Sequence, residues 1–255
     1  GIPHTISQEL VRKIQNRAAR LGVIGLGYVG LTLAAGMAEE GFEVTGIDID
    51  RNKVDSVNSG ISYVLDVPSE TLLPLVTQKR LKATQSLAAV ENLDAVSICV
   101  PTPLGRTKEP DLSYVIAAAE AISNHLQYGQ LIVVESTTYP GTTREVMLPA
   151  LESTGLKVGQ DFVLAVSPER VDPGNPKYQT RNTPKVIGGV TPACSRVVAA
   201  LYQPAIEKLV PVGTLWVNAI RMTVIPLVVS LLVTGVASAA DVRAIGRMGG
   251  RALLM

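Results

Sequence analysis

Gly25-Leu26-Gly27-Tyr28-Val29-Gly30 carries glycine at its first, third and sixth places, directly after the short apolar run 21–24. That spacing suits a phosphate chain. The first glycine permits a tight turn, the second lets a pyrophosphate approach bare backbone, and the third lets a helix and a strand pack closely. A helix opening at Tyr28 and Val29 would offer unpaired N–H groups and a partial positive charge to the phosphates. Asp48 lies 18 residues beyond Gly30, just after a second apolar run, 43–47. A carboxylate there can accept from ribose hydroxyls and repel a 2′-phosphate, so NAD is expected over NADP. Arg51 stands close by and argues the other way, while Lys53 joins the expected cofactor-binding set. A glycine-rich turn without a ligand would use the same six residues. The flanking strand, helix, second strand and acid favour the ligand.

The elements that would position these groups follow from periodicity. Short apolar runs at 21–24, 43–47, 81–84, 94–100, 131–135, 162–166, 186–187 and 209–212 read as strands. Stretches 7–20, 28–40, 51–58, 112–126, 142–153 and 192–202 read as helices. Alternation of this kind predicts an α/β fold, a doubly wound parallel sheet of Rossmann type. The expected organisation is a lead-in helix at 1–19, a nucleotide-binding domain at 20–212 and an apolar helical segment at 213–255.

Composition narrows the function classes. Hydrophobic residues make up 47% of the 255 and charged residues 18%, enough apolar material for a sizeable core. The net charge of +1, from 23 basic and 22 acidic residues, gives no electrostatic footprint for nucleic acid. The two cysteines, Cys99 and Cys194, lack metal-ligand spacing, so neither a zinc site nor a disulfide framework is expected and a cytoplasmic location fits. The segment 6–20 is polar and basic, without the apolar core of a signal peptide. The chain begins with Gly, which suggests a fragment or a processed form.

Beyond Val212 the character changes. Residues 222–240 are 19 positions without a charge, preceded by Arg221 and followed by Asp241, Arg243, Arg247 and Arg251. That length approaches the roughly 20 apolar residues of a membrane span, so membrane association is expected there, with a buried helix of a soluble protein as the alternative.

Further motifs give the chain a family likeness: GVIGLGYVGLTLA (22–34), GIDIDRNKVDSVNSG (46–60), ICVPTPL (98–104), PDLSYV (110–115), ESTTYPGTT (135–143) and SPERVDPGN (167–175). Together they resemble the nucleotide-sugar 6-dehydrogenases, the UDP-glucose/GDP-mannose dehydrogenase family. The pairing of the last two is most similar to members acting on UDP-N-acetylglucosamine or UDP-N-acetylmannosamine. The resemblance implies oxidation of a UDP-sugar C6 alcohol to the carboxylate with two NAD, and a homodimer. It implies that Pro101 and Thr102 close over the cofactor. Thr137 would touch the cofactor and help hold a water or the reacting oxygen. Glu169 would act through a water as general acid/base and contact substrate. Arg170 would be a substrate ligand or one half of a structural ion pair. Glu135 would bind the cofactor ribose or cap a turn.

The same resemblance exposes what these residues lack. The family's second oxidation uses a cysteine thiolate, which holds the aldehyde covalently, in a GxxGxCFPKD-like segment. No such segment occurs in the 255 residues, and Cys99 and Cys194 read as small core residues. The family's long central helix, through which its members dimerise, is replaced from about Val212 by a stretch resembling a transmembrane segment of the dicarboxylate/amino-acid:cation symporters. The expectation is therefore a chimera, catalytically incomplete as written. Two other readings stand beside the enzyme: a non-catalytic NAD-binding module and a membrane-attached nucleotide-binding protein.

Overall fold

The computed structural model describes residues 5–103, 111–139, 141–169, 183–206 and 209–211. Gly1–Pro211 forms one compact unit. Eight strands of the described residues form one sheet, in the order β3-β2-β1-β4-β5-β6-β7-β8. They are β1 (Arg20–Ile24), β2 (Glu43–Ile47), β3 (Leu81–Thr84), β4 (Ala95–Ile98), β5 (Leu131–Val134), β6 (Val163–Val166), β7 (Lys185–Gly189) and β8 (Leu209–Pro211). The helices are α1 (Ile6–Gln15), α2 (Tyr28–Glu39), α3 (Arg51–Asn58), α4 (Ser69–Thr77), α5 (Ser113–Ser123), α6 (Leu148–Glu152) and α7 (Pro192–Tyr202).

The first six strands are parallel and run in the doubly wound order. The order reverses between β1 and β4, and that reversal opens a crevice at the strands' C-terminal edge. β4 and β5 are buried along their whole length, as expected for strands covered on both faces. One apolar cluster joins α1, α2 and α7 to the sheet through residues such as Ile14, Leu31 and Leu201. A second joins α5 and α6 through Val115, Ile122 and Leu151.

Three expectations need correction. The sheet is mixed, because β7 pairs antiparallel to β6, with Ala165 opposite Gly189 and Val166 opposite Gly188. Lys185, the first residue of β7, therefore stands at the edge at which β6 ends. The lead-in helix stops at Gln15, because Arg17 adopts φ 59° and turns the chain into β1. That turn is fixed by Arg17, which donates to the Glu40 carbonyl and lies over the Phe42 ring. Helix α4 is absent from the expected elements; it holds Pro74 within it, and the buried Leu72 and Leu75 anchor it.

The segment 142–153 is helical as expected, but opens with a π-type turn at Thr143–Met147. No helix among the described residues is long and apolar enough to cross a membrane. The stretch 222–240 lies outside the described residues.

Candidate active site

The glycine turn links β1 to α2, and each glycine has a different reason for its place. Gly25 has φ +90° and lies against the Cys99 carbonyl, where a side chain would collide with backbone. Gly30 backs onto the Gly25 carbonyl, so it sets the approach of α2 to the turn. A Cβ on Gly27 would meet nothing within 4 Å. The turn thus leaves open space at the helix N-terminus, which is the fit a pyrophosphate requires.

Asp48, one residue past β2, braces this turn. Its carboxylate accepts from the Leu26 N–H at 2.7 Å and the Asp50 N–H at 2.9 Å, and Lys53 Nζ lies 3.3 Å away. Tyr63 reaches back from the α3–α4 connection and donates to the Leu26 carbonyl at 2.7 Å. Burial, then the Asp48 and Asp50 charges, push the Tyr63 phenol pKa up. Ribose hydroxyls would add to a carboxylate that is already oriented.

A cavity of about 790 Å³ extends from this turn across the crevice. Gly25, Gly27, Tyr28, Val29, Asp48 and Lys53 line one end, and Pro101, Thr102, Thr137 and Glu169 line the other. Gly30 is buried behind the turn. Arg170 lies outside the described residues. Small residues of α5, including Ala117 and Ala121, keep the middle wide. Helix α5 is started by Asp111, whose carboxylate accepts from the Ser113 N–H at 2.9 Å, a bond that lowers its pKa.

The far end is stitched by backbone. Ser136 Oγ donates to the Val100 carbonyl at 2.7 Å, tying the end of β5 to the loop carrying Pro101 and Thr102. The Glu169 N–H donates to the Glu135 carbonyl at 3.2 Å, which fixes the loop after β6 to the end of β5. Thr137 is exposed beside them.

Beneath these residues is a buried polar cluster that sequence reasoning missed. Lys185 Nζ donates to Glu135 Oε2 at 2.7 Å and lies 3.6 Å from Glu169 Oε2. Tyr202 from α7 donates to the other Glu135 oxygen, and its ring lies 5.1 Å from the Lys185 ammonium. Glu135, expected at the ribose or as a cap, is the hub of this cluster and also reaches the cavity wall. Burial raises the Glu135 pKa against the pull of Lys185. The Lys185 pKa goes up despite burial, because Glu135 and Glu169 both face it, so the ammonium is kept.

Cys99 sits one residue past β4 and lines the same cavity. Burial, with the Glu135 charge next, pushes its thiol pKa well up, the reverse of what a nucleophile needs. Cys194 is fully buried in α7.

A doubly wound sheet, a glycine turn over open space and an oriented acid after β2 define a dinucleotide-binding domain. The comparisons make that class particular. Residues 19–206 match the model of the UDP-glucose/GDP-mannose dehydrogenase family, NAD binding domain, and the chain belongs to that family. It is 33% identical over 204 residues to the UDP-N-acetyl-D-glucosamine 6-dehydrogenase of Pseudomonas aeruginosa, covering 80% of this chain and 46% of that protein. It is 35% identical over 190 residues to the UDP-N-acetyl-D-mannosamine dehydrogenase of Pyrococcus horikoshii, covering 74% and 45%. Among solved structures, the NDP-N-acetyl-D-galactosaminuronic acid dehydrogenase of Methanosarcina mazei superposes with a TM-score of 0.74 at 29% identity, covering 82% of this chain and 47% of that one. The chain thus spans about half the length of the relatives it matches. A second model, the sodium:dicarboxylate symporter family, matches residues 184–255. The overlap includes β7 and α7, and β7 pairs directly with β6 of the dehydrogenase sheet.

Proposed function

We propose that residues 20–212 are the NAD-holding part of a nucleotide-sugar 6-dehydrogenase acting on a UDP-N-acetylhexosamine, and that this chain binds NAD without completing the reaction. The observation that carries the reading is the single cavity running from the glycine turn and Asp48 to Thr137 and Glu169. Gly27 leaves room for the pyrophosphate, and the N-terminus of α2 faces it. Asp48 takes the ribose hydroxyls, with Lys53 beside the carboxylate oxygen that also accepts from the Leu26 N–H. Pro101 and Thr102 form the stiff rim over the cofactor. NAD, when bound, supplies the hydride acceptor. Thr137 then holds a water or the reacting oxygen, Glu169 moves a proton through that water, and Arg170 binds substrate.

Turnover of the alcohol to the carboxylate needs two hydride transfers, one water and a thiolate. The buried, protonated Cys99 and the enclosed Cys194 supply no such thiolate, so binding without steady turnover is the expected behaviour. Calorimetric titration of the chain and of an Asp48→Ala variant tests this. Wild type binds NAD and the variant binds at least about tenfold more weakly, because hydrogen bonds to a charged partner are lost. A wild-type chain that takes up no NAD, or one that steadily forms NADH from UDP-N-acetylhexosamines, overturns the reading.

The division of the chain into 1–19, 20–212 and 213–255 belongs to the same proposal. The symporter match and the 19 uncharged residues at 222–240 support a membrane-associated third segment. Alkaline carbonate extraction of membranes from expressing cells should leave the chain in the pellet. Full release into the supernatant counts against the membrane segment and leaves the NAD reading intact.

A further inference from the structure

Leu26 stands between the first two glycines of the turn and is held from three directions. Its side chain is fully buried against β2, where a Cβ on Gly46 would lie 2.7 Å from a Leu26 methyl group. Its N–H donates to Asp48 at 2.7 Å. Its carbonyl accepts from the Tyr63 hydroxyl, also at 2.7 Å. This last bond comes from outside the strand-turn-helix unit, from the connection between α3 and α4. That connection is itself pinned. Val64 and Val67 are buried in the core, and the Ser62 N–H donates at 2.9 Å to the hydroxyl of Ser69, the first residue of α4. The Tyr63 side chain is less enclosed, since the residue is 42% exposed, so the hydroxyl bond ties it to the turn more than burial does. Desolvation and the Asp48 and Asp50 charges raise the phenol pKa, so Tyr63 remains a donor at neutral pH.

A trans peptide is planar, and its C=O and N–H point in opposite directions. Holding the Leu26 carbonyl therefore also aims the Gly27 N–H, away from Tyr63. Gly27 lines the cavity, and its N–H has no partner among the described residues. Gly27 is also the N-cap of α2, so its peptide plane sets how the chain enters that helix. We propose that Tyr63 is a positioning residue for the cofactor's diphosphate, fixing the Leu26–Gly27 peptide and so presetting the N–H groups at the start of α2. The proposal rests on the NAD reading above. A donor set that is already oriented loses less freedom when the phosphates arrive, and that gain appears as affinity. Asp48 braces the N–H of Leu26 and Tyr63 its carbonyl, so the ribose and diphosphate subsites share one residue. They remain separable, because the tyrosine hydroxyl bonds only the carbonyl side.

The experiment measures dissociation constants of the whole chain for NAD, for ADP and for adenosine, which keeps the adenine and ribose but lacks the diphosphate. Calorimetry serves for the first two and ligand-observed NMR for the third. Tyr63→Phe removes one hydroxyl and keeps the ring. It should raise the NAD and ADP constants about fivefold and leave adenosine within about twofold of wild type. Leu65→Ala changes the same connection at a residue that is 90% exposed, and should leave all three constants in place. Unchanged NAD and ADP binding in Tyr63→Phe overturns the proposal. So does an equal weakening of all three ligands, which would make the hydroxyl a general prop of the domain. A shift in Leu65→Ala matching that of Tyr63→Phe overturns it too, since the connection and not the hydroxyl would then be responsible. Wild-type chain that binds neither NAD nor ADP overturns the NAD reading, and this proposal with it.

Discussion

Gly27 and Gly30 are three residues apart and face opposite demands. Gly30 fills a gap with no room for a Cβ, because the Gly25 carbonyl occupies it. Gly27 has an ordinary backbone, φ −74°, and open space where its Cβ would be. Nothing in the free protein requires glycine there, so the requirement must come from what enters the space. Gly30→Ala should lower stability by about 1–3 kcal/mol through overpacking, seen as a lower urea midpoint. Gly27→Ala should leave that midpoint nearly unchanged without ligand, yet lose most of the stabilisation that added NAD gives the wild type. If the two variants behave alike in both measurements, the glycines share one structural task and the pyrophosphate is misplaced.

At the scale of elements, the sequence exposes one half of the site and conceals the other. The glycine turn, Asp48 and the strands flanking them lie within thirty residues, and local periodicity and turn chemistry suffice to read them. The cluster at the far end depends on the reversal of β7. Extending its register from Val166 opposite Gly188 brings position 169 level with position 185. A parallel β7 would present its last residue at this edge instead of its first. In the sequence, Lys185 looks like the solvated start of a strand and Tyr202 like the apolar end of an amphipathic helix. Only the long-range pairing joins them to Glu135, 50 and 67 residues away.

Buried Cys99, Lys185 and Tyr202, with the partly exposed Tyr63, set an alkaline limit on stability. Tyr63, Cys99, Lys185 and Tyr202 all keep their protons above their ordinary values, chiefly through burial for Tyr63, Cys99 and Tyr202 and through the facing carboxylates for Lys185. The unfolded chain gives up the Cys99 proton near its ordinary 9.0 and the tyrosine protons near 10.0. Above those values the native state binds more protons than the unfolded state, so the share of stability these four groups contribute is whole below about pH 9 and is lost as pH rises through the folded values. The urea midpoint should hold steady to about pH 9 and then decline, and Tyr202→Phe should make the decline shallower. A midpoint that stays level from pH 9 to 11 would remove the basis for this account.

For the molecule as a whole, the fold is a family NAD-binding domain whose strand β7 and helix α7 fall where two family matches overlap. The fold class was legible because strand and helix patterns alternate cleanly up to Val212. The mixed sheet was not, since strand direction leaves no local trace in a five-residue run such as Lys185–Gly189. The reversed strand also bears on where the chain can be cut. A piece ending at Glu135 would contain the entire nucleotide fingerprint, the glycines and the ribose acid. It would also end on a carboxylate whose cation lies 50 residues downstream and whose phenol lies 67 residues downstream. The smallest fragment worth expressing as a cofactor carrier therefore closes after Tyr202. A boundary drawn from the fingerprint alone would leave the core with an uncompensated acid.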